Sequence, residues 1–200
     1  MLLCIFICSA YAQNDRFGVS WGLNYSNIYG ESEFFDFSEG KTKFKPSFFV
    51  GCLYEFQISD KFLVRPELTY SRKGFRNEWD DWTFYFNYLD LTALFRYELM
   101  PKTYVEAGLS GGYLLNSNMR SFTYNKFDFL LAGGFSYNIK QWLGVGIRYN
   151  QGLIPFIKEY NYQIILPGDP VIIDYNEKIR KKHRVIQLGL TFKPFAYINN

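Results

Sequence analysis

RFGVSWGLNYS (residues 16–26) alternates large apolar residues with small or polar ones at every position. Phe17, Val19, Trp21, Leu23 and Tyr25 form one series, and Gly18, Ser20, Gly22, Asn24 and Ser26 form the other. A period of two residues predicts a β-strand with two unlike faces. The side that meets water therefore decides between a soluble protein and a membrane protein.

The same alternation recurs seven times along the chain, and no amphipathic helical segment competes with it. The further predicted strands lie around residues 47–58, 62–71, 89–98, 104–113, 127–138, 143–150 and 185–192. Short connections at 59–60, 100–102 and 138–141 alternate with long ones at 27–45, 73–84, 116–126 and 151–184. This arrangement is typical of outer-membrane barrels. It predicts an all-β, eight-stranded antiparallel up-and-down transmembrane β-barrel with short periplasmic turns, long extracellular loops and periplasmic termini.

Composition agrees with this prediction. The chain has 200 residues, which suits one domain, and 21% of them are aromatic. After the first dozen residues no apolar run reaches the roughly 18 that a transmembrane helix needs, but a spanning strand needs only about ten residues. The net charge is +3 and the basic residues are dispersed, which argues against nucleic acid as a partner.

The N-terminal stretch MLLCIFICSAYAQ predicts a secretory signal peptide. It combines an apolar run with the cleavage pattern Ala10-Tyr11-Ala12. We therefore assign residues 1–12 to the signal peptide and residues 13–200 to the outer-membrane β-barrel domain. The positive n-region is missing, so we expect the signal peptide to be N-terminally truncated. Cys52 then remains alone, which leaves no disulfide framework and no cysteine metal cluster.

Two architectures fit eight alternating strands: a soluble, lipocalin-like carrier with the aromatic rings inside, and a membrane barrel with them outside. Almost all lysines, including Lys73 and Lys181, fall in predicted turns or loops, whereas soluble sheets place lysines on their exposed faces. The polar strand face instead carries Gly, Ser, Asn and Thr, which suit a narrow barrel interior. Tyrosines near the predicted strand ends are typical of an aromatic girdle. These features favour the membrane barrel.

Charged residues of both signs interrupt the strands. An arginine that faced lipid at the bilayer midplane would cost about 2–4 kcal/mol, so we expect these charges to point inward and to pair. The predicted lumen network comprises Glu55, Arg65, Glu67, Asp90, Arg96, Glu98, Glu106, Asp128 and Arg148. Side chains nearly fill an eight-stranded barrel. A wide pore is therefore not expected, and a narrow or gated path stays open.

With strands and loops assigned, the chain resembles the PorT-like, porin-family outer-membrane β-barrel proteins of Gram-negative, Bacteroidetes-type bacteria. The resemblance covers nearly the whole mature chain, and RPELTYSRKG (65–74) and YLDLTALFRY (88–97) carry it most clearly. It implies residence in the cell outer membrane. It also implies a possible link to the secretion of surface proteins.

The predicted loops offer three candidate contact sites. RNEWDDWTFYF (76–86) contains Trp79 and Trp82 for a partner and Glu78, Asp80 and Asp81 for a cation, although the spacing of a calcium loop is absent. YQIILPGDPVIIDY (162–175) predicts a hairpin above the membrane, with Ile164, Ile165 and Ile172 as partner contacts. The basic run KIRKKHR (178–184) offers contacts to lipid phosphates, including those of lipopolysaccharide, through Lys178, Arg180, Lys181, Lys182 and Arg184.

No catalytic motif accompanies these sites. His183, the only histidine, lies in the basic run, where we interpret it as a surface residue. We predict no enzyme activity, no cofactor and no metal site. The predicted function is that of a membrane-anchored scaffold or interaction protein, with an envelope or secretion-system protein as partner. The alternatives are a narrow channel or small-ligand binder and, third, the soluble lipocalin-like carrier.

Overall fold

The computed structural model of the protein describes residues 16–30, 42–77, 82–118, 122–165 and 172–194, and only the backbone at 122–123, 158–165 and 172–179. Eleven strand segments account for nearly all of them. They are β1 (Phe17–Tyr29), β2 (Thr42–Tyr54), β3 (Phe56–Gln57), β4 (Phe62–Asn77), β5 (Thr83–Met100), β6 (Thr103–Ser117), β7 (Phe122–Tyr124), β8 (Phe127–Asn138), β9 (Leu143–Gly152), β10 (Ile157–Ile165) and β11 (Ile172–Phe192). The described residues contain no helix that could serve as a transmembrane segment.

Eight of these segments close into an antiparallel barrel in the order β1-β2-β4-β5-β6-β8-β9-β11, and β11 pairs back onto β1. Trp21 of β1 lies opposite Val50 on one side and Leu190 on the other, which fixes the closing register. β3 continues the line of β2 and pairs with β4. The predicted eight-stranded barrel is confirmed, as are its short turns at 58–61, 101–102 and 139–142.

The two faces of the barrel wall answer the question raised by residues 16–26. On β5, Leu91 and Phe95 are each 63% exposed on the outside, whereas Arg96 is 1% exposed inside the barrel. On β1, Trp21 is exposed and Asn24 is buried. Apolar groups therefore face outward and charged groups inward. This is the reverse of a lipocalin, so the soluble-carrier alternative is wrong.

Small residues on the inner face make room for large side chains from opposite strands. Gly22, Gly189 and Gly146 lie side by side on β1, β11 and β9. The ring of Phe49, which is buried, lies over this patch, and a Cβ atom at Gly189 would come within 2.9 Å of that ring. A narrow barrel interior has no space for a side chain at both positions.

Several strands run further than the sequence pattern predicts. β4 continues to Asn77 and pairs with β5 up to Arg76 opposite Thr83, so the predicted loop over 73–84 is mostly strand. β11 begins at Ile172 and therefore contains the whole basic run. Above the membrane both faces of a strand can carry polar side chains, and the alternation that marks a spanning strand disappears there.

The upper part of β11 belongs to a small sheet beyond the barrel. β10 pairs with β11 from Ile157 opposite Lys181 to Ile165 opposite Ile172, and β7 pairs with the lower part of β10. We call this β7-β10-β11 arrangement the extracellular sheet. The predicted hairpin of residues 162–175 is confirmed, although its turn at 166–171 lies outside the described residues.

Candidate functional site: the lumen and the extracellular rim

A dense group of ion pairs fills the periplasmic half of the lumen. Glu55, at the break between β2 and β3, accepts hydrogen bonds from Arg65 Nη2 at 2.7 Å and from Arg96. Lys193, which follows β11, donates to the second oxygen of the same carboxylate. The C-terminal end of the barrel wall is thereby tied to the junction between β2 and β3. Arg96 also stacks on the ring of Tyr104.

Two more carboxylates complete this group. Glu106 accepts hydrogen bonds from Arg96 Nε and Ser136 Oγ at 2.7 Å and 2.6 Å. Arg148 donates to both oxygens of Glu67, at 2.9 Å and 3.0 Å. We call Glu55, Arg65, Glu67, Arg96, Glu106, Arg148 and Lys193 the basal network. Its members are buried or nearly so, and each charge meets an opposite one, as burial requires.

A second, smaller group lies higher in the lumen. Lys73 Nζ lies 3.1 Å from Asp90 Oδ1 and 3.3 Å from Asp128 Oδ2, and all three side chains are almost fully buried. The sequence pattern predicts a loop at Lys73, and this prediction is wrong because β4 extends past Lys73 and carries its side chain inward. Lys73 continues the series of every second residue that includes Arg65, Glu67 and Ser71 on the inner face of β4, and this spacing is the sequence signal for its position.

An aromatic cap closes the extracellular end of the lumen. Ile28, Phe75, Phe86, Tyr88, Phe156 and Ile157 form this buried cluster. His183 is fully buried among them: its ring stacks on Phe156 with centroids 3.7 Å apart, and Nε2 lies 3.4 Å from the Tyr88 hydroxyl. The interpretation of His183 as a surface residue is therefore wrong. Successive positions on β11 alternate inward and outward, and His183 shares the inward face of Val185, two residues further on.

Beside the cap, outside the barrel, Tyr124 of β7 packs edge-on against Phe86. Burial raises the pKa of its phenol, so the ring stays neutral and contributes as an apolar surface with one polar group. β7 thus helps to cover the cap from the extracellular side.

These groups leave little free space inside the barrel. One cavity of about 40 Å³ lies beside the basal network and another of about 10 Å³ lies below Lys73. Such volumes hold one or a few water molecules. Neither cavity has space for a dissolved organic solute.

The predicted contact residues fall into three sets: lumen charges, lipid contacts and partner contacts. Eight of the nine predicted lumen charges lie in the two interior groups: Glu55, Arg65, Glu67, Asp90, Arg96, Glu106, Asp128 and Arg148. Glu98 does not. Its carboxylate accepts the backbone N–H of Lys102 at 2.9 Å, because β5 reaches the periplasmic turn at that point and the side chain caps the turn.

The predicted lipid contacts lie on both faces of β11, because successive residues of a strand point to opposite sides. Lys181 is 1% exposed and donates to the Gly30 carbonyl at 2.6 Å, so its prediction as a lipid contact is wrong: the residue faces inward. Arg180 is exposed, and Lys182 and Arg184 are half-buried on the outer face. At Lys178 the structure describes only the backbone, which pairs with Glu159.

The predicted partner contacts lie on the extracellular side. Trp82 is 67% exposed and packs on Phe84. Ile164 and Ile165 pair through their backbones with Ile173 and Ile172. Trp79 and the possible cation ligands Glu78, Asp80 and Asp81 lie outside the described residues.

Comparison with known proteins agrees with the closed barrel, its apolar outer wall and its charged interior. The sequence profile of the family described as "Outer membrane protein beta-barrel domain" matches residues 11–158. The chain belongs to this family. The protein is accordingly located in the cell outer membrane.

Solved barrels of similar architecture share little sequence with this family member. Ail, the attachment invasion locus protein of Yersinia pestis, is 14% identical with a TM-score of 0.46, over 88% of this chain and 97% of Ail. OprG of Pseudomonas aeruginosa is also 14% identical with a TM-score of 0.46, over 88% of this chain and 95% of OprG. No protein of curated function matches the chain.

Proposed function

We propose that this outer-membrane barrel is a non-enzymatic, membrane-anchored scaffold or interaction protein that serves surface-protein secretion or envelope assembly. The observation that supports it is the filled lumen, which leaves the extracellular sheet as the main surface available for function. The finer resemblance to PorT-like proteins supports the link to secretion. In this proposal residues 1–12 direct export and residues 13–200 form the barrel domain.

The filled lumen argues against the alternative of a narrow channel. Purified protein in planar bilayers should give no stable conductance steps, because the basal network and the aromatic cap block the described lumen at both ends. A large porin prepared in the same way is the positive control. Reproducible steps that disappear when the protein is heat-unfolded would contradict this expectation.

The extracellular sheet offers a partner two open backbone edges. β11 pairs with β1 only from Tyr29 opposite Lys182 downward, and β7 reaches only to Tyr160 on β10. Above these points β10 and β11 form a two-stranded ribbon, and within the described residues no further strand pairs with the outer N–H and C=O groups on either side. Such edges bind extended segments of other proteins by strand addition.

Substitutions on the two faces of the ribbon test the proposal. Ile165 pairs with Ile172 and Ile164 with Ile173, so the two pairs lie on opposite faces. A photo-crosslinker at Gln163 in intact cells should yield a discrete adduct, and one of the double variants Ile165→Ser/Ile172→Ser and Ile164→Ser/Ile173→Ser should remove it.

The control position for the crosslinker is Lys140, in a periplasmic turn, which should not yield that adduct. Both double variants should keep the mobility shift between boiled and unboiled samples, because the ribbon lies outside the barrel. An adduct that survives both double variants would contradict docking on the ribbon.

We also retain lipid of the outer leaflet, including lipopolysaccharide, as a partner in this proposal. Arg180, Lys182 and Arg184 are the members of the basic run that support it, since their side chains lie at the outer surface. Lys181 is excluded by its inward position.

A further inference from the structure

Three basic side chains lie against outward-facing aromatic rings where the apolar band of the barrel ends on the extracellular side. The Arg184 guanidinium is 5.2 Å from the centre of the Phe44 ring. The Arg72 guanidinium is 4.8 Å from the centre of the Tyr85 ring, and Lys45 Nζ is 5.2 Å from the same centre. We call Lys45, Arg72 and Arg184 the rim bases.

The rim bases form one surface across five neighbouring strands. Arg184 lies on β11 opposite Asn27 of β1, and Lys45 lies on β2 opposite Ser26 of β1. Arg72 lies on β4 opposite Asn87 of β5. Below this surface the outer wall is apolar, with Leu23 and Val50 exposed to lipid. Above it Lys43 and Arg76 are exposed, so the rim bases mark the depth at which headgroups begin.

The rim bases differ from the interior bases in their partners. Arg65, Lys73, Arg96, Arg148 and Lys193 each form a salt bridge inside the barrel. None of the rim bases forms one with a carboxylate of the described residues. Arg72 donates Nε to Asn87 Oδ1 at 2.8 Å, and Arg184 Nε is buried without a hydrogen-bond partner in the described part of the chain.

The arrangement of Lys45 and Arg72 calls for an external anion. Two positive charges that converge on one ring repel each other, and an anion shared between them converts that repulsion into attraction. A planar guanidinium and a nearby ammonium match the oxygens of a phosphate group. The aromatic rings beside them offer an apolar surface to the acyl chains that a phospholipid or glycolipid would carry.

We propose that the rim bases form a binding site for the phosphate groups of a phosphorylated glycolipid of the lipid A type in the outer leaflet. This rests on the lipid contact in the proposed function and identifies its phosphate site, in which only Arg184 comes from the predicted basic run. Lys45 and Arg72 carry the rest. The site lies on the barrel wall, apart from the extracellular ribbon.

Titration of the purified full chain in non-ionic detergent with fluorescently labelled bisphosphorylated lipid A tests the site. Each base near such a surface contributes about fivefold in affinity, so Lys45→Gln/Arg72→Gln/Arg184→Gln should bind about 100-fold more weakly. The control Lys61→Gln/Lys102→Gln/Lys140→Gln removes the same charge from exposed periplasmic turns and should bind like the wild type. If the first triple variant does not fold, the single variants should each lose about fivefold.

Four results would overturn the site. They are an equal loss in both triple variants, equal binding of lipid A stripped of its phosphates, equal binding of phosphatidylglycerol, and saturable binding of inorganic phosphate with the same residue dependence. The last two would assign the bases to any anionic lipid or to a free anion. The crosslink at Gln163 does not depend on the rim bases, so failure here leaves the ribbon proposal to its own experiment.

Discussion

Arg96→Met should lower the free energy of unfolding of the barrel by about 3–5 kcal/mol, the usual cost of removing one partner from a buried ion pair. Arg96 is 1% exposed and donates to Glu55, Glu106 and Ser136. Methionine keeps most of the side-chain volume, so the loss comes from charge and hydrogen bonds. Two buried carboxylates would then face one another with fewer cations between them.

Urea unfolding of the vesicle-inserted protein, followed by the mobility of unboiled samples, measures this effect. The matched control is Lys140→Met, in an exposed turn, which should change the free energy by less than about 0.5 kcal/mol. Equal stability of Arg96→Met and wild type would show that the basal network does not hold the barrel together.

The barrel could be predicted from the sequence because its two faces meet two different solvents. Lipid outside and a narrow polar interior force strict alternation, as at Leu91, Thr92 and Ala93, and the pattern is visible wherever the wall crosses the bilayer. The inward position of the strand charges follows from the same rule, since a charged side chain on a spanning strand is far less costly in the lumen than in lipid. This rule places all nine inside, and the structure has eight of them there.

The alternation of apolar and polar residues no longer predicts side-chain direction above the membrane, where both faces of a strand can meet water. Charge and polarity predict loop or surface positions for Lys73, Lys181 and His183, yet all three are buried. The structure shows that β4 and β11 keep their parity beyond the bilayer and carry these residues into the lumen. Their partners, such as Asp128 and Gly30, come from distant parts of the chain, and no local pattern reports such pairs.

The same limit explains why the rim bases could not be found by reading runs of charge. Lys45, Arg72 and Arg184 are separated by 27 and 112 positions, and only barrel closure through β1 brings β11 beside β2. The basic run at 178–184 is visible in the sequence because it is contiguous, but strand alternation turns every second side chain of it inward. A site on a barrel wall is built from residues of neighbouring strands at the same level along the barrel axis, and these residues are far apart in the sequence.

Leu91→Arg should destabilise the membrane-inserted barrel by about 2–4 kcal/mol, the cost of a lipid-facing arginine near the bilayer midplane. Leu91 is 63% exposed on the outer face of β5 and lies well inside the strand. The substitution leaves every lumen contact intact. Its effect therefore reports what the outer face touches, independently of the interior charges.

Leu99→Arg is the matched control, since Leu99 is 56% exposed on the same strand, at the register shift between Glu98 and Met100. It lies eight residues nearer the periplasmic turn, where an arginine costs only about 0–1 kcal/mol. Unfolding of both variants is measured in vesicles and in detergent micelles. The difference between their free energies of unfolding should be large in vesicles. Equal costs at both positions in vesicles would contradict a bilayer-spanning β5, because the cost of a lipid-facing arginine depends on its depth.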